Sequence, residues 1–222
     1  MTWSWLAFAA LGAGHGINPG MGWLFAVALG LQEGRSRAVW RALPALALGH
    51  ALAVGVAVLT AAALGEVVPA GVLRWIVGTS LVALGGVRLV RHRHPRSGGM
   101  RVGFRGLTSW SFLMATAHGA GLMVVPLLVG SVASTANAAG PGAHSMHGVH
   151  AAHAMLMPIS GLTDVSLWAT ISHTGGYLFV TGVVAVIVYH KLGLRLLRTM
   201  WINLDLVWGG ALIITGGLTL LF

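Results

Sequence analysis

The stretch Leu11-Gly12-Ala13-Gly14-His15-Gly16-Ile17-Asn18-Pro19-Gly20-Met21-Gly22 lies in the middle of an apolar run, residues 3–31, that carries no charged side chain. Such a run is long enough to cross a bilayer. Proline lacks a backbone N–H and clashes with the preceding helical turn, so Asn18-Pro19 predicts a break in the helix. In hydrocarbon, freed backbone groups are tolerated only where they are buried in protein or line a wet cavity. The stretch therefore predicts a mid-membrane binding site or, alternatively, a kinked packing helix whose His15 bonds a neighbour.

The composition is that of an integral membrane protein. Of 222 residues, 56% are hydrophobic and 8% are charged, whereas a soluble domain has roughly 25% charged residues. The 13 Lys and Arg exceed the 4 Asp and Glu, which in a membrane protein indicates contact with anionic lipids rather than with nucleic acid. The absence of cysteine excludes disulfides, thiolate metal sites and thiol electron transfer. The first apolar run is too long for a signal peptide, so we interpret it as a permanent helix.

Hydropathy predicts an all-α polytopic membrane protein whose single domain, residues 1–222, contains six transmembrane helices. The predicted spans are residues 3–31, 42–64, 72–90, 109–132, 162–189 and 201–222, the second beginning just before Pro44. They form one repeat at about 1–91, a cytoplasmic loop at 91–106, and a second repeat at 107–222 that includes a histidine- and methionine-rich loop at 136–158.

Basic residues predict the orientation of these spans. They concentrate in the loops that follow the first, third and fifth spans, at Arg35, Arg37, Arg41, Arg91, Arg93, Arg96, Arg101, Arg105, Lys191, Arg195 and Arg198. Because cytoplasmic loops carry the excess of Lys and Arg, both termini and the histidine-rich loop are predicted outside. We expect the protein in the inner (plasma) membrane of a bacterium.

The two halves of the chain carry matching motifs. The pairs are Gly14-His15-Gly16 with Ala117-His118-Gly119, Gly49-His50-Ala51 with Ser172-His173-Thr174, and Trp75-Ile76 before Gly85-Gly86 with Trp201-Ile202 before Gly209-Gly210. Because each unit has three spans, the units must lie in opposite orientation. The sequence therefore predicts two inverted three-helix repeats, a plan in which transporters bind substrate near the membrane midplane.

Four histidines thus fall at matching intramembrane positions, namely His15, His50, His118 and His173. Neutral imidazole is a good ligand for nickel, cobalt, copper and zinc, and polar groups inside a membrane usually face the bundle interior. Further candidate ligands are Asn18, Met123 and Asp205, the last as a charge or proton partner. The alternative is that each histidine only bonds a neighbouring helix.

The predicted external loop is a second candidate metal site. Short histidine-rich tracts bind transition metals, and methionine thioethers additionally suit Cu(I). The candidate ligands for metal capture are His144, Met146, His147, His150 and His153. The alternative is a flexible polar loop that happens to be rich in histidine.

On these motifs the chain resembles the lysine-exporter superfamily in its broad sense, which includes nickel/cobalt efflux proteins and urease-accessory-like membrane proteins. The resemblance rests on the six-span plan, on Gly14 to Gly20 and Gly49-His50, and on the histidine-rich loop. The resemblance implies that this chain is a small inverted-repeat protein that transports metal. The nickel/cobalt members carry a His-x4-Asp-His motif, where this chain has His15 followed by Asn18-Pro19.

We predict a protein without enzymatic activity that moves a transition-metal cation across a membrane, with gates at the broken first and fourth spans, at Asn18-Pro19 and residues 119–126. It could act as a homo-oligomer or within a larger membrane complex. One alternative function is haem-binding electron transfer, because transmembrane histidines can supply axial ligands, here His50 and His173. Another is an accessory subunit whose histidines serve structure.

Overall fold

The computed structural model describes residues 2–90, 103–128, 159–192 and 204–221, which are almost entirely helical and contain no strand. The helices are α1 (Thr2–Ile17), α2 (Trp23–Glu33), α3 (Ser36–Val67), α4 (Ala70–Val90), α5 (Phe104–Ala117), α6 (Ala120–Leu128), α7 (Ile159–Ile187) and α8 (Leu204–Leu221). A 3-10 turn at Pro19–Met21 joins α1 to α2, and a π-helical turn at Val188–Leu192 ends α7. The predicted all-α class is thereby confirmed for the described residues.

Two of these helices are long and apolar enough to cross a membrane, within Ser36–Leu64 and Val165–Lys191. A third span results if the bent pair α5 and α6 is counted as one. The other apolar segments, in α1, α2, α4 and α8, are shorter. The predicted first span is divided into α1 and α2, neither of which has the length of a span. Residues 193–203, before α8, lie outside the described part of the chain.

The predicted break in the first span is confirmed at Asn18-Pro19. The Asn18 side-chain oxygen accepts a hydrogen bond from the Gly20 amide at 2.9 Å and so caps the 3-10 turn. The Trp23 indole donates to the Ile17 carbonyl at 3.0 Å, which satisfies an acceptor freed at the end of α1. The chain then turns through Gly22, whose positive φ of 133° only glycine adopts readily.

The fourth span also bends, by 56° between α5 and α6. The bend lies at His118-Gly119, where Gly119 has a φ of +68°. Pro126, the far end of the predicted break, lies inside α6. The left-handed glycine, rather than the proline, therefore sets the bend.

The helix that carries the predicted second span, residues 42–64, is longer than that span, because α3 begins at Ser36 and continues through Pro44. An internal proline removes a backbone hydrogen bond and crowds the preceding turn, but membrane helices tolerate it where surrounding groups satisfy the freed carbonyl. The result is a 32-residue helix, about 48 Å long at 1.5 Å per residue.

Small residues bring the helices into backbone contact in three pairs. On α1 a Cβ at Gly12 would overlap the His173 carbonyl oxygen of α7, and on α3 a Cβ at Gly49 would overlap the Thr108 carbonyl oxygen of α5. In the third pair, Gly85 of α4 and Gly209 of α8 each face the other's carbonyl oxygen. Close approach through small residues is typical of membrane helices. Because α3 also packs against α7, the first two pairs enclose one interior.

Candidate functional site

Three of the four predicted histidines lie together in that interior, and we call them the histidine cluster: His15, His50 and His173. His15 stands near the end of α1, three residues before the break, and the other two lie within the long helices α3 and α7. All three are fully buried. Their ring centroids are 5.9 Å apart for His15 and His50, and 5.2 Å apart for each of the other two pairs.

The rings of the cluster are not equivalent in orientation. His50 and His173 are parallel within 10°, whereas His15 is inclined by 66° to both. Ring nitrogens bind through lone pairs in the ring plane. Parallel rings therefore direct their nitrogens along parallel planes rather than towards a common point.

Five ring nitrogens of the cluster have no hydrogen-bond partner. His15 Nδ1 lies 2.9 Å from the Leu11 carbonyl oxygen and must donate to it, which leaves Nε2 as an unpartnered acceptor. Both nitrogens of His50 and both of His173 are also unpartnered. The Phe8 carbonyl lies near the His173 ring, but not within hydrogen-bond geometry. Buried polar groups without partners are costly.

Two aromatic side chains that the sequence did not single out complete the cluster. The Tyr177 ring stacks on His50 with centroids 3.9 Å apart and planes within 10°. The Trp208 indole lies against His15, with centroids 4.7 Å apart. Tyr177 follows His173 by one helical turn on the same face, which is a signal that the sequence carried. Trp208 carried no comparable signal.

Hydroxyl groups tie the cluster to the backbone around it. The Tyr177 hydroxyl donates to the Met21 carbonyl at 2.6 Å, within the break of the first span. The Ser111 hydroxyl, which lies beside that of Tyr177, donates to the Leu46 carbonyl at 2.7 Å. Thr181 is also close to Tyr177, but its hydroxyl has no partner within hydrogen-bond geometry.

The fourth predicted histidine, His118, lies at the bend between α5 and α6, where it caps α5. Its Nδ1 donates to the Met114 carbonyl at 2.8 Å, as His15 does to Leu11. The His118 ring contacts the Trp208 indole, which also lies beside His15. The two ring centroids are 6.4 Å apart and the ring planes are nearly perpendicular. The two break histidines thus share one indole as a neighbour.

The remaining predicted ligands are placed differently. The Asn18 oxygen is used as the cap of the 3-10 turn, and Met123 is buried in an apolar cluster with Leu81 and Leu212. Asp205 is the second residue of α8, and its side chain lies outside the described part of the structure. The loop ligands His144, Met146, His147, His150 and His153 lie outside it as well.

Within the described ranges, no group of three or more His, Asp or Glu side chains has its donor atoms arranged to hold a metal ion. In the histidine cluster, two of the three rings are parallel within 10°. The cluster has the side chains of a metal site, but their donor atoms are not arranged to hold one ion.

No protein-family model matches this chain, and no curated protein and no solved structure matches it either.

Proposed function

We propose that this chain is a six-span membrane protein that binds a transition-metal cation at the histidine cluster and moves it across the membrane. The observation that carries the proposal is the spacing of three buried imidazole rings whose nitrogens lack partners. Histidine nitrogens bind such a metal at about 2.0–2.1 Å, which puts each ring centroid about 3.2 Å from the ion. At a tetrahedral angle, two such centroids are about 5 Å apart. The 5.2 and 5.9 Å spacings of the cluster are close to this value.

Binding therefore requires the rings to turn rather than the helices to move far. Rotation of His50 out of its stack with His173 would let its nitrogen converge with those of the other two rings. A transport site must also release its ion, and a site that needs rearrangement to bind favours release.

The ligand set favours a borderline divalent cation. The cluster offers imidazole nitrogen, which suits nickel, cobalt, copper and zinc, whereas hard cations prefer oxygen. Cu(I) prefers sulfur, and the buried Met123 lies in a separate apolar cluster. The external histidine- and methionine-rich loop, residues 136–158, would capture the ion before it enters, and Asp205 would balance its charge.

The helix pairs support the inverted repeat. If the first three spans match the last three, α1 corresponds to α5, α3 to α7, and α4 to α8. The contact of α1 with α7 is then equivalent to that of α5 with α3, and both contacts are found. The Gly85 and Gly209 backbones, which correspond in the two halves, face each other. His15 and His118 each stand at a helix break with the same hydrogen bond.

The proposed topology has both termini outside, in a bacterial inner membrane. The end of the bundle at which α3 begins and α7 ends carries Arg35, Arg37, Arg41 and Lys191, all exposed. Leu107, near the start of α5, packs at the same end with Val39 and Val188. The positive-inside rule makes this end cytoplasmic.

Two alternatives lack such support. Histidines that only bonded neighbouring helices would have partners for their ring nitrogens, but five nitrogens of the cluster have none. Axial haem ligands point nitrogen atoms at an iron between them, whereas the His50 and His173 rings stack face to face. We therefore favour cation transport over haem binding.

Metal titration of protein purified without a histidine tag tests the proposal. Wild-type protein should bind one Zn²⁺ or Ni²⁺ ion per chain in the central site, and His50→Ala should abolish this binding while the protein remains folded. His190→Ala is the matched control, since His190 is exposed at the end of α7. Equal central-site binding by wild type and His50→Ala would rule out the cluster as the ion site.

A further inference from the structure

The Tyr177 side chain contacts both the histidine cluster and the break in the first span. Its ring stacks on His50 at 3.9 Å. Its hydroxyl donates a 2.6 Å hydrogen bond to the Met21 carbonyl in the 3-10 turn. Both ends of this connection are fully buried. A change at either end must therefore be accommodated by the tyrosine.

The stack fixes His50 in the orientation that prevents shared ligation. His50 is parallel to Tyr177 and to His173, each within 10°. For its nitrogen to converge with those of His15 and His173, the His50 ring must turn out of the orientation in which it is parallel to the Tyr177 and His173 rings. The Tyr177 ring packs against its face, so it must shift when His50 turns. Its hydroxyl would then leave the Met21 carbonyl.

That carbonyl belongs to a short segment in which the hydrogen bond from Tyr177 is the shortest. Within the segment, the Met21 amide donates to Asn18 and the Gly22 amide donates to Pro19, at 3.0 and 3.3 Å. The Trp110 indole, which lies outside the cluster, donates to the Gly20 carbonyl at 3.3 Å. Loss of the Tyr177 bond would remove the tie that it makes between this segment and α7.

We propose that Tyr177 is a positioning residue that couples ion binding at the histidine cluster to release of the break in the first span. This inference rests on the proposed cation binding and adds the path by which a loaded cluster acts on the gate. In the unloaded protein, the hydroxyl bond to Met21 holds the tyrosine, and the tyrosine holds His50 away from the ion position. Binding of the ion breaks both restraints together.

The coupling predicts that removing the hydroxyl strengthens ion binding. In Tyr177→Phe the ring and its packing remain, but the bond that stabilises the unloaded state is gone. The apparent affinity for Zn²⁺ should rise about fivefold, the factor that corresponds to one lost hydrogen bond of typical net strength. A purely structural role predicts an unchanged or lower affinity. Tyr189→Phe, at the only other tyrosine of the chain, should leave the affinity unchanged.

Hydrogen exchange of the amides of residues 18–22 reads the other end of the connection. It should be about fivefold faster in Tyr177→Phe than in wild type. Trp110→Phe removes a bond to the same segment without touching the cluster. It should also speed exchange but leave Zn²⁺ affinity unchanged. Faster exchange without tighter binding in Tyr177→Phe would overturn the coupling.

Wild-type protein supplies a test that needs no variant. Saturating Zn²⁺ should speed exchange of residues 18–22, because the loaded cluster releases the break. Slower or unchanged exchange in a protein that binds Zn²⁺ would overturn the role of Tyr177 and leave the ion site standing. Wild-type protein that binds neither Zn²⁺ nor Ni²⁺ would instead overturn the proposed function itself.

Discussion

His15 and His118 make the same hydrogen bond on two different helices, each at the end of an interrupted segment. The Nδ1 of His15 donates to the Leu11 carbonyl at 2.9 Å, and that of His118 donates to the Met114 carbonyl at 2.8 Å. A bond to the carbonyl four residues earlier fixes the ring tautomer and turns Nε2 away from its own helix. The equivalence was predicted from matching tripeptides and recurs in the side-chain conformation.

The shared-site hypothesis predicts non-additive losses within the cluster. His50→Ala and His173→Ala should each give a folded, inserted protein with little bound ion, because three ligands share one ion. The double variant should bind hardly less than either single one, since residues that act as a unit are not additive. Isothermal titration with Zn²⁺ measures this. Two separate, additive losses of affinity would show that the histidines bind independently.

The α1–α7 crossing should discriminate between two adjacent glycines. At Gly176 an added Cβ would overlap the Ala9 carbonyl oxygen, whereas at Gly175 it would meet no atom within 4 Å. Gly176→Ala should therefore destabilise the protein by about 1–3 kcal/mol, the usual cost of overpacking. Gly175→Ala, on the same turn, should be close to neutral. Thermal unfolding in detergent measures both, and equal melting temperatures would contradict the tight crossing.

Alanine substitutions at two glycines with left-handed backbones should distinguish the cost of conformational strain from the cost of tight packing. Gly119 has a φ of +68° and Gly34 a φ of +64°, so alanine should cost about 1–2 kcal/mol of conformational strain at either site. A Cβ at Gly119 would additionally lie 2.9 Å from the buried Leu212 side chain. A Cβ at Gly34 would have no neighbouring atom within 4 Å. Gly119→Ala should thus lower the unfolding midpoint more than Gly34→Ala does. Similar midpoints would mean that the bend of the fourth span has room to spare.

Local chemistry made part of the site predictable. Asn18-Pro19 fixed the break because the cap and the missing amide act within a few residues. Matching motifs predicted four histidines in one site, and ring contacts join three of them, His15, His50 and His173. Tyr177 and Trp208 escaped notice because their roles depend on which helices meet, and hydropathy does not report helix pairing. The six residues of α3 before the predicted span, residues 36–41, include two arginines, which hydropathy does not assign to a span.

The last prediction concerns the direction in which α3 crosses the membrane. Its first residue, Ser36, is exposed beside Arg35 and Arg37, and Gly71 is exposed just beyond its other end with no atom within 4 Å of an added Cβ. A helix of about 48 Å exceeds the bilayer with its headgroup regions, about 40–45 Å thick, so both sites should reach water. Single cysteines at Ser36 and at Gly71 of this cysteine-free chain should therefore react with an impermeant thiol reagent from opposite sides. Because basic loops stay in the cytoplasm, intact cells should label Gly71→Cys, whereas Ser36→Cys should react only after the membrane is opened. Labelling of Ser36→Cys in intact cells would reverse the orientation, and labelling of both would show that α3 does not span the membrane.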